Sequence, residues 1–235
     1  MGRMYTLIIA NKNYSSWSLR PWILMKEQGI AFEERQIPFR TPGFPPLTAV
    51  SPTGRVPLLR DGELGIWDSL AIVEYLAERH PSVWAQDVKA RAWSRSAAAE
   101  IHSGFNALRD LCSMSVGQRI KLHEYPERLR KDVDRIAALW TEGLNQFGGP
   151  FLAGAKFTAA DAFYCPVAFR VQSYGLQLPG PAMGYAKRLL ALKGMREWYE
   201  AGLKETWRDP PHDEEMRLAG TCTADLRATE AVTTP

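Results

Sequence analysis

The first eighty residues alternate short apolar runs with polar turns, a pattern typical of a small α/β domain. Met4–Ala10 is short, apolar and β-branched, which predicts a buried strand. A helical pattern follows from about Leu19 to Gln28, and Gly29 predicts its end. Alternation over Phe32–Pro38 predicts a second strand ahead of a proline-rich loop.

The next segment predicts two strands and a helix. Val56–Leu59 and Leu64–Trp67 are separated by an Asp-Gly pair, which signals a hairpin. Ser69–His80 has apolar residues at helical spacing and stops before a proline. This order combines a parallel β-α-β crossover with an antiparallel hairpin, so we expect a thioredoxin-like sheet covered by helices.

Beyond this point the pattern is helical, and no strand pattern recurs from about Lys89 onward. Apolar spacing predicts five helices: Val88–Leu111, Pro126–Phe147, Ala159–Tyr174, Ala182–Leu192 and Met195–Glu205. We therefore predict an α/β thioredoxin-like N-terminal domain over residues 1–81, a linker over 82–88, an all-α helical C-terminal domain over 89–207 and a polar C-terminal tail over 208–235. We expect the tail to be loose.

Composition narrows the functional classes. The 235 residues are 46% hydrophobic and 23% charged, as in ordinary globular proteins. The net charge of +3 is mild and forms no basic stripe, so we predict no nucleic-acid partner. No apolar run could span a bilayer, and the first residues lack the apolar core of a signal peptide. Three unpaired cysteines (Cys112, Cys165 and Cys222) favour a cytoplasmic protein, with the first two buried in helices.

The first candidate site is the run that holds Ser15, Ser16 and Ser18, just before the first predicted helix. Hydroxyls there can cap free backbone N–H groups, which is the structural interpretation. The same place suits an anion, and a thiol held there becomes more acidic. Pro21 fits only within about the first helical turn, so we expect regular helix from about Ser18.

Two further motifs follow. In Arg55-Val56-Pro57, a cis bond before the proline would turn the Val56 backbone outward toward a peptide-like ligand, although only about 5–6% of such bonds are cis. Asp68 and Ser69 stand where a helix begins, and either can be a structural N-cap. Together they suit the amino-acid end of a ligand, with Ser69 on the carboxylate and Asp68 on the ammonium group.

Taken in order, these motifs resemble the cytosolic glutathione transferases. A strand, Ser-Ser-x-Ser-x-Arg, a helix, Val-Pro-x-Leu and a helix opened by Asp-Ser are spaced over residues 15–69 as in that superfamily. The tandem serines are most similar to the zeta class. The helical second half fits in kind, and Thr158 with Asp161 resembles a capping box found in such proteins.

The resemblance implies an enzyme that activates the thiol of its cosubstrate, glutathione, for attack on a small electrophile, without a metal. It implies that Ser15 donates a hydrogen bond to the sulfur, with Ser16 as the alternative donor. The implied glutathione-binding residues are Arg55, Val56, Pro57, Asp68 and Ser69. The implied electrophile-site residues are Trp17, Asn106 and Arg109. A homodimer is also implied.

Three functions stay open. The transferase comes first. A glutathione-dependent cis-trans isomerase of the maleylacetoacetate or maleylpyruvate type comes second, because zeta isomerases have cysteine where this chain has Trp17. The third is a non-catalytic interaction protein that reuses the fold. Such proteins often lose the thiolate donor, so the presence of Ser15, Ser16, Asp68 and Ser69 disfavours this interpretation.

Overall fold

The computed structural model describes residues 4–229. The strands of its first sheet are β1 (Tyr5–Ile9), β2 (Phe32–Gln36), β3 (Leu58–Asp61) and β4 (Leu64–Trp67). Their order is β2-β1-β3-β4, with β1 parallel to β2 and antiparallel to β3. Helices α1 (Ser16–Glu27) and α2 (Ser69–Ala77) pack with one face of this sheet in the main hydrophobic core. The sheet is therefore the mixed, thioredoxin-like one that the sequence predicts.

Alternation along β1 sets the core of this unit. Leu7 and Ile9 face the helices in the main core, whereas Ile8 faces the opposite side. There Ile8 joins Ile37 and Leu58 in a smaller apolar cluster. Both sides of the strand are buried, which explains why its sequence reads as a continuous apolar run.

Helix α1 begins at Ser16, two residues earlier than Pro21 led us to expect, so that prediction is wrong. Ser15 is the N-cap: its hydroxyl accepts a hydrogen bond from the Ser18 N–H at 3.4 Å and donates to the Ser18 hydroxyl at 2.7 Å. Pro21 lies inside the helix, where its missing N–H removes one bond to the carbonyl of Trp17. The cap stabilises the first turn in spite of that loss.

The remaining helices form the second unit: α3 (Val88–Ser103), α4 (Asn106–Leu111), α5 (Glu127–Phe147), α6 (Ala159–Tyr174), α7 (Gly180–Ala191), α8 (Lys193–Lys204) and α9 (Pro210–Ala219). Helix α6 is buried almost throughout and packs against α1, α3 and α7. It is therefore the central element that joins the two units. In residues 4–229, no helix is both long and apolar enough to cross a membrane.

The predicted capping pair anchors α6. The Asp161 carboxylate accepts hydrogen bonds from the Thr158 N–H at 2.8 Å, the Leu152 N–H at 2.9 Å and the Tyr185 hydroxyl at 2.8 Å. Burial raises the pKa of Asp161, although these bonds act in the opposite direction. The pair fixes the start of α6 to the preceding loop and to α7.

Two predictions for the second half are wrong. The single helix expected over Val88–Leu111 breaks into α3 and α4, because Phe105 adopts a left-handed φ of 58° directly after Gly104. Strands also recur, since β5 (Gln118–Leu122) pairs antiparallel with β6 (Gly220–Asp225).

The loose tail predicted over residues 208–235 is wrong for its described part, which forms α9 and β6. The segment is held in place by ion pairs, which a polar composition does not reveal. Asp209 pairs with Arg40, and Arg227 pairs with Asp213 and Asp225. Residues 230–235 of the predicted tail lie outside the described residues.

The burial predicted for two cysteines is confirmed, although Cys112 directly follows α4 and does not lie in a helix. Cys112 and Cys165 are both fully buried, and Cys222 is exposed. Burial raises the pKa of the Cys112 thiol to about 12 and that of Cys165 well above its usual value. Neither buried thiol is therefore a nucleophile at neutral pH.

Candidate active site

A cavity of about 610 Å³ opens between the loop before β3 and the start of α2, and we call it the sheet cleft. Its lining residues are Trp17, Thr53, Arg55, Val56, Pro57, Trp67, Asp68, Ser69 and His102. The cleft thus brings together all five residues to which the sequence assigned a peptide-like ligand. It also adds His102 of α3, which sequence analysis did not identify.

Val56 lies just before β3, an interior strand of the sheet. The Val56–Pro57 peptide bond is cis, as the resemblance implied. Pairing of β3 with its neighbours begins at Leu58, which lies opposite Ile8 and Trp67. Because Val56 precedes that ladder, its backbone groups are placed to pair with an extended ligand in the cleft.

Ser69 carries the clearest sign of a ligand. It is 1% exposed, yet its hydroxyl finds no hydrogen-bond partner within the described residues. An unpaired buried hydroxyl costs about 1–3 kcal/mol. Here it stands in the first turn of α2, where free N–H groups and the helix dipole favour an anion. A ligand carboxylate would accept a hydrogen bond from this hydroxyl and would also be stabilised by the helix N-terminus.

Asp68 offers the complementary charge. It caps α2 with a left-handed φ of 67°, and its Oδ1 accepts a hydrogen bond from the Leu70 N–H at 2.8 Å. Its side chain is about half exposed, and its Oδ2 makes no hydrogen bond within residues 4–229. A carboxylate and a helix N-terminus therefore lie side by side, as recognition of an α-amino acid requires.

His102 lies behind Asp68 and is held in one tautomer. Its Nε2 is 3.4 Å from Asp68 Oδ1, and its Nδ1 is 3.4 Å from a guanidinium nitrogen of buried Arg20. Because arginine can only donate, Nδ1 must accept and Nε2 carries the proton. Burial, Arg20 and Arg109 lower the pKa of His102, although Asp68 raises it. The imidazole is therefore neutral at neutral pH.

A second cavity of about 390 Å³ adjoins the first, and we call it the serine pocket. Its lining residues are Tyr14, Ser15, Ser16, Trp17, Phe39, Arg40, Leu47, Gly54, Arg55, Val56, Arg109, Ser113, Met114, Arg170 and His212. Trp17, Arg55 and Val56 line both cavities. The two cavities therefore adjoin, and we call them together the groove, with the tandem serines in one half and Ser69 in the other.

The tandem serines differ in their hydrogen bonds. The Ser15 hydroxyl is committed to the cap of α1 through Ser18. The Ser16 hydroxyl makes no hydrogen bond within the part of the chain that the structure describes. The start of α1 therefore presents one hydroxyl that caps the helix and one that is available to a ligand.

Two arginines also line the serine pocket. The Arg109 guanidinium lies 4.7 Å from the centre of the Trp17 ring and donates to the Gly104 carbonyl at 3.1 Å. Arg170, from the middle of α6, donates to the Cys112 carbonyl at 2.8 Å. Burial and nearby Arg109 lower the pKa of Arg170 to about 10, so both side chains are cations at neutral pH. Neither forms an ion pair within residues 4–229.

Helix α9 closes the pocket. His212 stacks between Tyr14 and Phe39, with ring centres 5.2 and 5.4 Å away. Its Nδ1 hydrogen-bonds to Asp209, which also accepts from Arg40 at 2.9 and 2.6 Å. Burial alone raises the pKa of Asp209, but the bonds from His212 and Arg40 outweigh it and lower the pKa overall.

Of the predicted electrophile-site residues, only some line the groove. Trp17 and Arg109 line the groove, whereas Asn106 is exposed and lines neither cavity. Arg170 and His212 were missed. Arg170 leaves a signal, the one basic residue in a largely apolar helical run, and His212 leaves one too, three residues after an acid. Within residues 4–229, no group of three His, Cys, Asp or Glu side chains could hold a metal ion.

Protein-family models match both the N-terminal and the C-terminal part of the chain. The model described as "Glutathione S-transferase, N-terminal domain" matches residues 14–79, and "Glutathione S-transferase, C-terminal domain" matches residues 91–201. These matches include every residue of the sheet cleft. The segment after residue 201, with α9 and β6, lies outside both matches.

Several individual proteins are also similar to this chain. A "Glutathione S-transferase zeta class" from Euphorbia esula is 28% identical over 160 residues, covering 65% of this chain and 70% of the relative. A "Maleylacetoacetate isomerase" from Rattus norvegicus is 26% identical over 185 residues, covering 77% and 79%. The structure of a glutathione transferase homolog from Burkholderia, with bound glutathione, superposes with a TM-score of 0.64 at 22% identity, covering 85% and 98%. This last likeness shows a common fold.

Proposed function

Because the chain belongs to the glutathione S-transferase family, we propose that it binds glutathione along the groove and joins the glutathione sulfur to a small electrophile. The sheet cleft then holds the γ-glutamyl end of the tripeptide, and the serine pocket holds the sulfur and the electrophile. A homodimer and a cytoplasmic location are further proposals from the family resemblance.

The observation that carries this proposal is the unpaired, buried Ser69 hydroxyl at a helix N-terminus beside an acidic cap. In this assignment Ser69 and the first turn of α2 bind the γ-glutamyl carboxylate, and Asp68 Oδ2 binds its ammonium group. The backbone of Val56 pairs with the cysteinyl unit. Arg55 is exposed at the junction of the two cavities, where its guanidinium can meet the glycyl carboxylate.

The groove then brings the glutathione thiol to the start of α1. A hydroxyl donor and the dipole of the helix both favour the thiolate, so the thiol loses its proton more readily than in water. Ser16 has the uncommitted hydroxyl and Ser15 the capping one. Ser16 can donate to the sulfur directly, whereas Ser15 must turn its one proton away from the Ser18 hydroxyl to do so, while it still accepts from the Ser18 N–H.

The two arginines of the serine pocket favour an electrophile that carries negative charge. Arg109 and Arg170 are cationic and without a carboxylate partner in the described residues. A charge-assisted bond to an arginine is worth about 1.5–3 kcal/mol. The same pair supports the second candidate, isomerisation of a cis-enone diacid, because such a substrate carries two carboxylates. Trp17, in place of the cysteine of zeta isomerases, keeps this candidate second.

The test is glutathione conjugation to chlorodinitrobenzene by the wild type and by serine variants. Replacing both Ser15 and Ser16 by alanine should lower kcat/KM about 100- to 1000-fold, as loss of an oxyanion donor does. Ser15→Ala alone should also cost about 1 kcal/mol of stability, because it removes the cap. Ser16→Ala should leave stability unchanged. Exposed Ser96→Ala on α3 is the matched control.

The competing functions give different results. Full turnover by the double variant would contradict the assigned thiol activation. A wild type that fails to bind glutathione in calorimetry would point to the non-catalytic interaction protein. Direct assay with maleylacetoacetate separates the remaining two, because an isomerase returns free glutathione and the trans isomer, whereas a transferase consumes glutathione.

A further inference from the structure

The segment after residue 201 is outside the family matches, yet it is built into the active site. The Glu205 carboxylate accepts hydrogen bonds from the backbone N–H of Lys12 at 2.6 Å and of Asn13 at 3.1 Å. Asp213 accepts from the hydroxyl of Tyr14, the residue next to the first tandem serine, at 3.0 Å. The segment therefore fixes the loop that leads into α1.

One side chain of this segment enters the serine pocket. His212 lies in the first turn of α9, and its ring is stacked between two aromatic rings. Its Nδ1 bonds to the fully buried Asp209 carboxylate, which Arg40 holds through two hydrogen bonds. The ring is therefore fixed in place, and its side chain remains 24% exposed.

The free edge of the ring is the reactive one. His212 Nε2 makes no hydrogen bond within the described residues, and the side chain lines the same pocket as the tandem serines. A carboxylate on Nδ1 with Nε2 facing a substrate is the arrangement by which proteins orient a histidine as acid or base. The aromatic sandwich prevents the ring from rotating away.

We propose that His212 is a catalytic acid for electrophiles of the α,β-unsaturated carbonyl class, an inference that rests on the proposed function. The glutathione thiolate forms a C–S bond to the β-carbon, and the C=C π pair moves toward the carbonyl to give an enolate. The Nε2 proton of His212 passes to the α-carbon. The neutral imidazole stays bonded to Asp209 and regains its proton from water.

Charged groups on each side of His212 suit this role. Asp209, at the start of α9, hydrogen-bonds to His212 Nδ1, and Arg40 holds that carboxylate through two hydrogen bonds. Arg109 and Arg170 line the same pocket and can stabilise the enolate. Tyr14, against the ring, is neutral, because burial raises its pKa. Asp213 and Arg227 neutralise each other beside the Tyr14 hydroxyl.

The experiment compares two electrophiles in the wild type and in His212→Gln. Addition to phenylbutenone ends in an enolate that needs a proton, whereas substitution on chlorodinitrobenzene releases chloride and needs none. We expect His212→Gln to lower kcat for phenylbutenone about 100-fold and to lower the chlorodinitrobenzene rate far less, because the substitution needs no proton. His123→Gln, on a histidine that bonds to Thr221 outside the groove, is the matched control.

Chemical rescue gives a readout that a structural role would not change. In His212→Ala, added imidazole should restore part of the phenylbutenone rate and leave the chlorodinitrobenzene rate unchanged, because only the addition needs a proton. Should His212→Gln fail to fold, Asp209→Asn, which keeps an acceptor for Nδ1 without the charge, should lower the phenylbutenone rate selectively.

Equal losses with both electrophiles would overturn the proposal, since they would show that His212 only shapes the pocket. An unchanged phenylbutenone rate would also overturn it. A wild type that binds no glutathione in calorimetry would overturn the proposed function as well. Binding without a selective loss would overturn only the role of His212.

Discussion

The two halves of the groove are encoded differently. Apart from Trp17 and His102, the lining of the sheet cleft comes from residues 53–69. The serine pocket draws on five separate stretches, which lie at residues 14–17, 39–56, 109–114, 170 and 212. The residues proposed to bind the peptide-like ligand thus come mostly from one short stretch of sequence. The reacting site exists only after distant segments have packed together.

The halves also differ in charge. The sheet cleft pairs an exposed carboxylate, Asp68, with a helix N-terminus, which suits a zwitterionic amino-acid end. The serine pocket presents Arg109, Arg170 and His212 from its walls, while Asp209 is fully buried behind His212. We infer that the cleft sets the affinity for glutathione and the pocket sets the choice of electrophile. Changes to one half should therefore leave the other half intact.

The largest effect should come from Asp161, which supports both halves through α6. Asp161→Ala leaves the buried donors of Thr158, Leu152 and Tyr185 without their acceptor. We expect a loss of about 3 kcal/mol in the free energy of unfolding, which corresponds to a fall in Tm of roughly 6–12 °C. Thermal unfolding followed by circular dichroism measures it.

The loss of stability in Asp161→Ala should not alter either half of the groove selectively. Folded Asp161→Ala should bind glutathione with wild-type affinity and keep the wild-type preference among electrophiles. A selective change in glutathione Kd at unchanged Tm would show that Asp161 belongs to the site and not to its scaffold.

A smaller, selective effect should follow from Arg109→Met, which keeps much of the side-chain volume and removes the charge. For an electrophile with a carboxylate, kcat/KM should fall about 10- to 100-fold, because one charge-assisted contact is lost. Steady-state kinetics with a matched neutral electrophile should show little change, and glutathione Kd should stay constant. Arg128→Met, on an exposed ion pair with Asp110, is the control. Equal losses with both electrophiles would show that the charge of Arg109 does not select the electrophile.

The smallest effect should be the pH dependence that His102 contributes. Its pKa is lowered in the folded protein from an ordinary 6.5, so the unfolded chain binds more protons in the window just below that value. Stability should therefore fall as the pH falls through this window and be fully restored above it. Urea unfolding at about pH 7.5 and pH 5.5 measures the difference, which His102→Gln should reduce. An undiminished difference in that variant would assign the effect to other groups.

Sequence reasoning reached the sheet cleft because its signals are local. The order of Val56, Pro57, Asp68 and Ser69 along the chain predicts both the start of β3 and the start of α2, and the structure places all four in one cavity. The mixed sheet was equally accessible, since β1 and the hairpin carry short-range patterns.

The serine pocket was only partly predictable for the opposite reason. Arg170 reaches the pocket through the packing of α6, and no pattern near it in sequence shows what lies across the gap. His212 was hidden because α9 is anchored by ion pairs and hydrogen bonds, and a polar segment without apolar periodicity reads as a tail. Asn106 shows the reverse error, because similarity of position did not place its side chain in the groove.

The most direct test of the account is calorimetric titration of glutathione into the wild type, Ser69→Ala and Ser113→Ala. Ser69 has the unpaired hydroxyl of the sheet cleft, whereas the Ser113 hydroxyl lines the serine pocket and is already bonded to Glu215 at 2.8 Å. We predict binding by the wild type, at least about tenfold weaker binding by Ser69→Ala and wild-type binding by Ser113→Ala. A wild type that does not bind glutathione, or a Ser69→Ala variant that binds it as tightly as the wild type, would contradict the account.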